Sequence, residues 1–324
     1  MKIVVTGGSG FVGSHMLECL RVKFPNSELI NIDVREPKEK FHDEFLNVDL
    51  MTEDSINSIY NLKPEIIFHL AAQSRVNLAE KDPDFTLKNN ILSTFNCLRA
   101  AQKIKVDFER IYFVHMSSEQ VYGHLDPKDL PVKENHSLQP YNTYGVSKKI
   151  AEEIAQGFSF FFPTLIIRPA MGFGPRSPPS QIVTKFFLRA IKGEPLLYSN
   201  EVKNDPSLSP TRDMSYITNT INGVLLAAEN RARGIYNITS GKEISILDLG
   251  EIISKITGAE IQFSDDYKER DRELGKRFII DSRKAQTEFN FIPDQISKED
   301  GLSKTYDWLR NNMNYFNGVD ELTP

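Results

Sequence analysis

The sequence opens with Lys2-Ile-Val-Val-Thr-Gly-Gly-Ser-Gly-Phe-Val-Gly13, and this stretch decides the predicted fold. A short β-branched run at its start predicts a buried parallel strand, and the residues after it predict a helix whose apolar side chains recur three and four positions apart. Gly7, Gly10 and Gly13 permit a tight turn, close approach of the backbone to a diphosphate, and close packing of the helix on the strand. The start of the helix offers unpaired N–H groups to phosphate oxygens. We therefore predict a dinucleotide-binding turn, against the alternative of a glycine turn used for packing alone.

A second predicted strand, Glu28-Leu-Ile-Asn-Ile-Asp33, ends in a carboxylate about twenty residues after the last glycine, where the ribose of a dinucleotide is bound. A carboxylate accepts hydrogen bonds from a free 2′-hydroxyl and repels a 2′-phosphate. Asp33 therefore favours NAD over NADP as the cofactor. Arg35, two residues later, weakens that preference.

Composition narrows the class of protein. The chain has 324 residues, of which 40% are hydrophobic and 26% charged, as in an ordinary enzyme of one large or two smaller domains. The net charge of −5 argues against a nucleic-acid-binding surface, and no apolar run is long enough for a membrane span or a signal peptide. Cys19 and Cys97 are predicted to be buried thiols without a disulfide, and the histidines lack the spacing of metal ligands. These features predict a cytoplasmic enzyme with no nucleic-acid, membrane or metal partner.

Strands and helices alternate through the first half of the chain, which predicts an α/β fold built on a Rossmann-type, doubly wound parallel sheet. Near Pro169 the sequence becomes rich in loops and prolines as far as residue 212. We therefore expect an NAD-binding domain of residues 1–169 plus 213–239, and a smaller substrate-binding domain of residues 170–212 plus 240–324. The cleft between the two domains is the expected ligand site.

A second informative pattern is Tyr144-Gly-Val-Ser-Lys148, because residues four apart lie on one face of a helix. Ionising an ordinary tyrosine at pH 7 costs about 4 kcal/mol, and a neighbouring ammonium and an oxidised nicotinamide would both lower that cost. Ser118, at the end of the fifth predicted strand, is placed to hydrogen-bond the same substrate oxygen. Together these residues predict a site that oxidises an alcohol. The alternative is a pair of solvated residues on a helix surface.

The sequence resembles the extended short-chain dehydrogenases/reductases, in the branch that acts on nucleotide-activated sugars. The resemblance covers essentially the whole chain, and it rests on the glycine turn, Asp33, Tyr144-x-x-x-Lys148 and a set of further motifs. Those motifs are Asp49-Leu50, His69-Leu-Ala-Ala72, Asn90, Ser117-Ser-Glu-Gln-Val-Tyr-Gly123, Arg168-Pro169, Gly174-Pro175 and Thr211-Arg-Asp213.

The resemblance implies a role for each matching residue. It assigns cofactor binding to Gly7, Gly10, Phe11, Val12, Asp33, Asp49, Leu50, Leu70, Ala71, Ala72, Asn90, Tyr144 and Lys148. It assigns substrate binding to Ser74, Ser118, Arg212 and one of the pair Arg270 and Arg272, of which we select Arg272. It assigns catalysis to Ser118, Tyr144 and Lys148, with Glu119 as a further candidate. It also implies a homodimer, formed through the helices around residues 85–105 and 143–160, with Ile91, Phe95, Leu98, Val146 and Ile150 as contact candidates.

The resemblance further implies that Tyr144 takes the proton of a sugar hydroxyl, usually at C4, while a hydride passes to NAD. Dehydratases of the family carry a carboxylate at the position of Gln120, and a glutamine cannot take up a carbon-bound proton. Glu119 is expected to point to the opposite face of the strand, unless a bulge turns it inward. These residues favour a nucleotide-sugar 4-epimerase similar to UDP-glucose 4-epimerase, which returns the hydride to the other face of a 4-keto sugar.

Two segments favour the alternative of a 4,6-dehydratase or 4-keto-sugar reductase acting on a GDP-, CDP- or dTDP-linked sugar. Ser209-Pro-Thr-Arg-Asp213 resembles sugar 4,6-dehydratases, and Ala71-Ala-Gln-Ser74 resembles enzymes acting on GDP-linked deoxysugars. Met171 stands where many relatives have an asparagine that anchors the substrate, which leaves the nucleotide and the sugar open. A non-catalytic NAD-binding protein is a further alternative, which the joint presence of Ser118, Tyr144 and Lys148 opposes.

Overall fold

The larger part of the computed structural model is a seven-stranded sheet, and the structure describes residues 1–265 and 274–316. The strands of this sheet are β1 (Lys2–Thr6), β2 (Glu28–Asp33), β3 (Glu44–Asn47), β4 (Ile66–His69), β5 (Tyr112–Met116), β6 (Thr164–Pro169) and β10 (Gly234–Ile238). They lie in the order β10-β6-β5-β4-β1-β2-β3, and every neighbouring pair is parallel. The direction of winding reverses between β1 and β4, and in such sheets ligands bind beside that point. The predicted Rossmann-type fold is confirmed.

Helices cover both faces of this sheet. One face packs against α1 (Phe11–Lys23), α8 (Ile217–Glu229) and α10 (Arg283–Phe289). The other face packs against α2 (Asp54–Leu62), α4 (Pro83–Phe108) and α5 (Thr143–Phe158). Helix α3 (Val76–Lys81) lies beside α4 and α5. In β1, Ile3 and Val5 enter the first of these cores, whereas Val4 enters the second. Both faces of the strand are buried, which explains its continuous apolar sequence.

A second, smaller core follows β6. It contains the three-stranded sheet of β7 (Met171–Phe173), β9 (Thr211–Tyr216) and β11 (Glu243–Ser245), and the parallel pair β8 (Leu196–Ser199) and β12 (Ile261–Ser264). The accompanying helices are α6 (Ile182–Ile191), α7 (Asn200–Asn204), α9 (Ile246–Thr257) and α11 (Lys298–Asn311). Ser245 and Ser297 cap α9 and α11, as their sequence spacing predicts, by accepting the N–H groups of Asp248 and Asp300.

Some predicted strands are shorter or lie elsewhere. The strand predicted to run to Ser118 ends at Met116, and residues Glu119–Val121 form a short 3-10 turn. The predicted NAD-binding domain includes residues 213–239, whereas β9 pairs with β7 and β11 in the smaller sheet. Both cysteines are unpaired thiols, Cys97 buried and Cys19 partly exposed.

The described residues contain neither a membrane-spanning helix nor a metal-binding cluster. Within 1–265 and 274–316, no helix combines the length and apolar character of a membrane span. The same residues hold no group of three or more His, Cys, Asp or Glu side chains arranged to bind a metal ion.

Candidate active site

The glycine turn joins β1 to α1 at the carboxyl edge of the sheet. Gly7 has a φ of +72°, and its N–H donates to the carbonyl of Ile32 at 2.8 Å. A Cβ at Gly13 would lie 2.1 Å from the carbonyl oxygen of Gly7, so packing alone demands glycine at that position. At Gly10 the nearest atom to an added Cβ would be 3.2 Å away. Packing is therefore less demanding at Gly10, which is consistent with close approach of a ligand there. Phe11 and Val12 begin α1, where N–H groups lack partners within the helix.

Asp33 lies beside this turn, at the end of β2. One carboxylate oxygen accepts the N–H of Ser9 at 3.1 Å, and the other accepts the N–H of Arg35 at 3.1 Å. Each oxygen has a second lone pair, which leaves capacity for ribose hydroxyls. The guanidinium Nε of Arg35 is 3.8 Å from the carboxylate, and the side chain is half exposed. The acid predicted to bind ribose is thus beside the glycine turn.

Two segments that the resemblance assigns to cofactor binding follow β3 and β4. Asp49 accepts the N–H of Met51 at 2.9 Å, and Leu50 is buried. The N–H of Ala71 donates to the Thr6 hydroxyl at 3.3 Å, which ties residues 70–72, including Leu70 and Ala72, to the end of β1. Residues 70–72 therefore border the glycine turn, whereas the segment before Asp49 lies beside Asp33, whose carbonyl accepts the N–H of Val48 at 3.3 Å.

The side-chain amide of Asn90 is fully hydrogen-bonded within the protein. Its amide accepts the N–H of Gln73 at 2.7 Å and donates to the carbonyl of the same residue and to the Ser147 hydroxyl, at 3.0 and 2.8 Å. The neighbouring Asn89 amide also donates to it at 2.9 Å, so all of its hydrogen-bonding positions are used by protein groups. Asn90 thus orders the segment after β4 from within. Ser74, in the same segment, is exposed.

Ser118, Tyr144 and Lys148 come together at the same edge of the sheet. Asn142 caps α5 by accepting the N–H of Gly145 at 2.7 Å, which sets Tyr144 in the first turn of the helix. Burial raises the pKa of Tyr144 to about 12, and a hydrogen bond from Ser118 lowers it. Burial lowers the pKa of Lys148 to about 8. All three residues are at most 9% exposed, so the alternative of a solvated helix surface is wrong.

Glu119 does not point away from these residues, as the strand pattern predicted. Because β5 ends at Met116, the turn at Glu119–Val121 directs the side chain inward, and its carboxyl accepts the N–H of Met171 at 3.0 Å. Burial and, to a smaller extent, the charge of Asp213 raise the pKa of Glu119 to about 8. When Glu119 is ionised, its negative charge raises the pKa of Tyr144. Glu119 is therefore mainly a neutral acid at pH 7.

Gln120, the residue on which the reaction type depended, contacts α5. Its side-chain oxygen accepts a hydrogen bond from the Asn142 amide at 3.1 Å. It therefore supports the residue that caps the helix of Tyr144. A contact of this kind is structural and requires no acid at position 120.

Arg212 and Asp213 lie on β9, across from Glu119. The Arg212 guanidinium donates to the carbonyl of Thr211 at 2.7 Å, and its charge lowers the pKa of Glu119. Asp213 is buried and accepts the N–H groups of Ser240 and Gly241 at 3.1 and 3.0 Å. Burial raises the pKa of Asp213 to about 6. Arg270 and Arg272 lie outside the described residues.

Sequence reasoning gave no role to Glu152, which is fully buried beneath these residues and contacts Arg168 and Ser117. A glutamate four positions after Lys148, on the helix face that carries Tyr144 and Lys148, was the signal that could have identified it.

The fold and site define a Rossmann-type protein with a dinucleotide-binding turn and a buried serine, tyrosine and lysine. The profile of the NAD dependent epimerase/dehydratase family matches residues 3–239, and the chain belongs to that family. The expected family and its NAD dependence are thereby confirmed.

Individual relatives extend over nearly the whole chain. The chain is 30% identical to "Putative UDP-glucose 4-epimerase" of Methanocaldococcus jannaschii, over 96% of its own length and 99% of the relative's. It is 27% identical to dTDP-glucose 4,6-dehydratase of Salmonella typhimurium, over 98% and 95% of the two chains. The crystal structure of UDP-glucose 4-epimerase with UDP-glucose from Thermotoga maritima superposes with a TM-score of 0.84 at 26% identity, covering 97% and 100% of the two chains.

Proposed function

We propose that the protein is an NAD-dependent nucleotide-sugar 4-epimerase. The observation that carries the proposal is the buried group of Ser118, Tyr144 and Lys148 combined with Gln120, whose amide supports the cap of α5. A base able to take up a carbon-bound proton is missing from position 120. The names of the relatives from Methanocaldococcus jannaschii and Thermotoga maritima support the same reaction.

In this mechanism Tyr144 accepts the proton of the sugar C4 hydroxyl and later returns it. NAD, when bound, would supply the hydride acceptor and donor for C4. The glycine turn and Asp33 would hold the cofactor, and Lys148, as the resemblance implies, would bind its nicotinamide ribose. A pKa of about 12 makes ionising Tyr144 at pH 7 cost about 7 kcal/mol, so bound cofactor and substrate must lower that pKa. In the structure, the hydrogen bond from Ser118 lowers the pKa of Tyr144. From the sequence, this effect was predicted for Lys148.

The test is incubation of the purified protein with UDP-, GDP-, CDP- and dTDP-linked hexoses, with products identified by NMR in D2O. We expect the C4 epimer of one nucleotide sugar, without deuterium at C5. A 6-deoxy-4-keto product carrying deuterium at C5 would replace the proposal with the dehydratase alternative. No turnover of any of these sugars would contradict both.

Glu119 gives the dehydratase alternative a specific basis. A 4,6-dehydratase must protonate a leaving hydroxyl, and a buried carboxyl with a pKa of about 8 holds that proton at pH 7. The relative from Salmonella typhimurium carries the name of this activity. Glu119→Gln separates the two reactions, because it should abolish dehydration but leave a 4-epimerase with at least a substantial part of its activity.

We propose a homodimer formed through the outer faces of α4 and α5. Phe95 and Leu92 on α4 are 38% and 41% exposed, and Phe161, just after α5, is 54% exposed. The rings of Phe95 and Phe158 pack edge to face between the two helices. Leu98, one of the candidates from the sequence, is fully buried in the core and does not belong to this face. Phe95→Glu should give a monomer in light scattering, whereas Val22→Glu, at an exposed position on α1, should not.

The expected domain boundaries and location also remain proposals. The division into residues 1–169 plus 213–239 and 170–212 plus 240–324 is supported by the separate core that Phe186, Phe187, Tyr198 and Leu249 form, although Met214 and Tyr216 also lie in that core, and Ala285 and Phe289 lie in the main one. In urea unfolding, the fluorescence of Trp308, which packs on the smaller core, should change at a different urea concentration from the far-UV circular dichroism if the two cores fold as separate domains. A cytoplasmic location is supported by the two unpaired thiols, and fractionation of cells tests it.

A further inference from the structure

A buried ion pair lies beneath the candidate site. The guanidinium Nε and Nη2 atoms of Arg168 contact the two carboxylate oxygens of Glu152 at 3.1 and 2.5 Å, and the two side chains are 2% and 0% exposed. Removing two charges from water is costly, and replacing such pairs with apolar side chains is often neutral or stabilising. Stability alone is therefore a weak reason for charges at this depth. The contacts of Glu152 indicate two other uses for its carboxylate.

The first use concerns Ser118. Regular pairing of β5 ends at Met116 and the next turn begins at Glu119, so Ser117 and Ser118 lie between two elements. The Ser117 hydroxyl donates to the Glu152 carboxylate at 2.7 Å, and its N–H donates to the carbonyl of Ile167 at 2.7 Å. Glu152 therefore holds the residue that directly precedes Ser118.

The second use concerns Lys148, which lies one turn before Glu152 on α5. From β4 and β5, the stacked rings of His69 and His115 face Lys148 with their centroids 5.7 Å apart, and burial lowers the pKa of both rings far enough to keep them neutral. Neither ring compensates the ammonium. Burial lowers the pKa of Lys148, and the negative charge of the Glu152 carboxylate raises it.

Arg168 keeps this carboxylate in place. Its Nη1 donates to the Tyr122 hydroxyl and to the carbonyl of Glu134, both at 2.9 Å, so the guanidinium is held from β6, from the turn after β5 and from the following loop. With the bidentate contact to Arg168, the carboxylate of Glu152 is fixed in both position and direction.

We propose that Glu152 is a positioning residue that keeps Lys148 cationic through space and aligns Ser118 through Ser117, while Arg168 orients its carboxylate. The effect on turnover rests on the proposed function, since it requires Ser118 and Lys148 to act in the reaction. The effect on the charge of Lys148 does not, and it can be measured without turnover.

The test is a pH titration of the full chain labelled with 13C at the lysine Cε, in which Lys148→Met assigns the Lys148 resonance. Glu152→Gln should lower the pKa of Lys148 by about one unit, because a neighbouring opposite charge is lost. Arg168→Lys breaks the same bidentate contact but keeps both charges, so the pKa should stay near that of the wild type. Glu153→Gln is the matched control, because Glu153 is the next residue on α5 but its side chain is 59% exposed and screened by water.

If the pKa of Lys148 shifts equally in Glu152→Gln and Arg168→Lys, the role of Glu152 is structural and the proposal is overturned. The proposal is also overturned if that pKa does not change in Glu152→Gln. If Glu152→Gln does not fold, the double variant Glu152→Gln/Arg168→Met leaves no unpaired buried charge and must still lower the pKa of Lys148. With a nucleotide sugar that the wild type turns over, Glu152→Gln should lower kcat at least tenfold and leave KM nearly unchanged. The pH at which kcat falls on the alkaline side should also decrease by about one unit, as the pKa of Lys148 does. Failure of all turnover would contradict the proposed function and leave the titration result standing.

Discussion

Glu119→Gln tests the electrostatics of the site through protein stability. In the unfolded chain Glu119 ionises near pH 4.5, whereas burial and Asp213 raise its pKa in the folded protein to about 8. Between these values the folded state holds a proton that the unfolded state releases, so stability falls as the pH rises. The slope is about 1.4 kcal/mol per pH unit, and between pH 5 and pH 8 it lowers the free energy of unfolding by about 4 kcal/mol. Glu119→Gln removes this contribution, while its amide oxygen can still accept the N–H of Met171.

The assay is urea unfolding at pH 5, 6, 7 and 8 without added nucleotide, followed by circular dichroism. The free energy of unfolding of the wild type should fall by about 4 kcal/mol more than that of Glu119→Gln across this range. Glu119→Asp is the control, because it retains a carboxyl group and should retain most of the pH dependence. Parallel curves for the wild type and Glu119→Gln would show that Glu119 is ionised throughout, and would refute the reasoning for an acid that is neutral at pH 7.

Three further predictions address the rest of the site. Tyr144→Phe should lower kcat by about 10²–10⁴ and leave NAD affinity, measured by calorimetry, nearly unchanged, whereas undiminished turnover would exclude Tyr144 as the base. Asp33→Ser should weaken NAD binding at least about tenfold, because a hydrogen bond to a charged group is lost. Paired titrations with NAD and NADP should also show a smaller difference between the two affinities than in the wild type. An unaltered preference would show that Asp33 does not contact the ribose. Gly13→Ala places a Cβ 2.1 Å from the Gly7 carbonyl oxygen. It should lower the free energy of unfolding, measured by thermal unfolding, by about 1–3 kcal/mol or more, and it should abolish NAD binding. A stable variant that binds NAD would contradict the packing of the turn.

The geometry of the glycine turn and of Asp33 was predictable because its constraints are local. Gly7, Gly13 and Asp33 are required by a turn, a helix packing distance and the end of one strand, each set within a few residues of sequence. The spacing of Tyr144 and Lys148 on one helix is of the same kind. Such patterns depend on helical and strand periodicity, which the sequence carries directly.

Glu119 was predicted wrongly for a physical reason. Strand periodicity would put it on the face opposite Ser118, but periodicity applies only while a strand continues, and β5 ends at Met116. Where a strand ends depends on its neighbours, here on Ser117 bonding to Ile167 and Glu152, which are 50 and 35 residues away. Glu152 itself was missed because a lone glutamate on a helix is most often solvated, and only the fold shows that this face is buried.

The two halves of the proposed reaction depend on different parts of the fold. Abstraction of the hydroxyl proton uses Tyr144 and Lys148 on α5, which is packed on the main sheet. In the dehydratase alternative, the fate of the keto sugar would depend on the turn at Glu119–Val121 and on the strands that contact it, β7 through Met171 and β9 through Asp213. Those strands belong to the smaller sheet. A change in β7 or β9 can therefore alter the protonation of Glu119, and with it the product, without disturbing the first step. This separation fits the names of two relatives, a 4-epimerase and a 4,6-dehydratase.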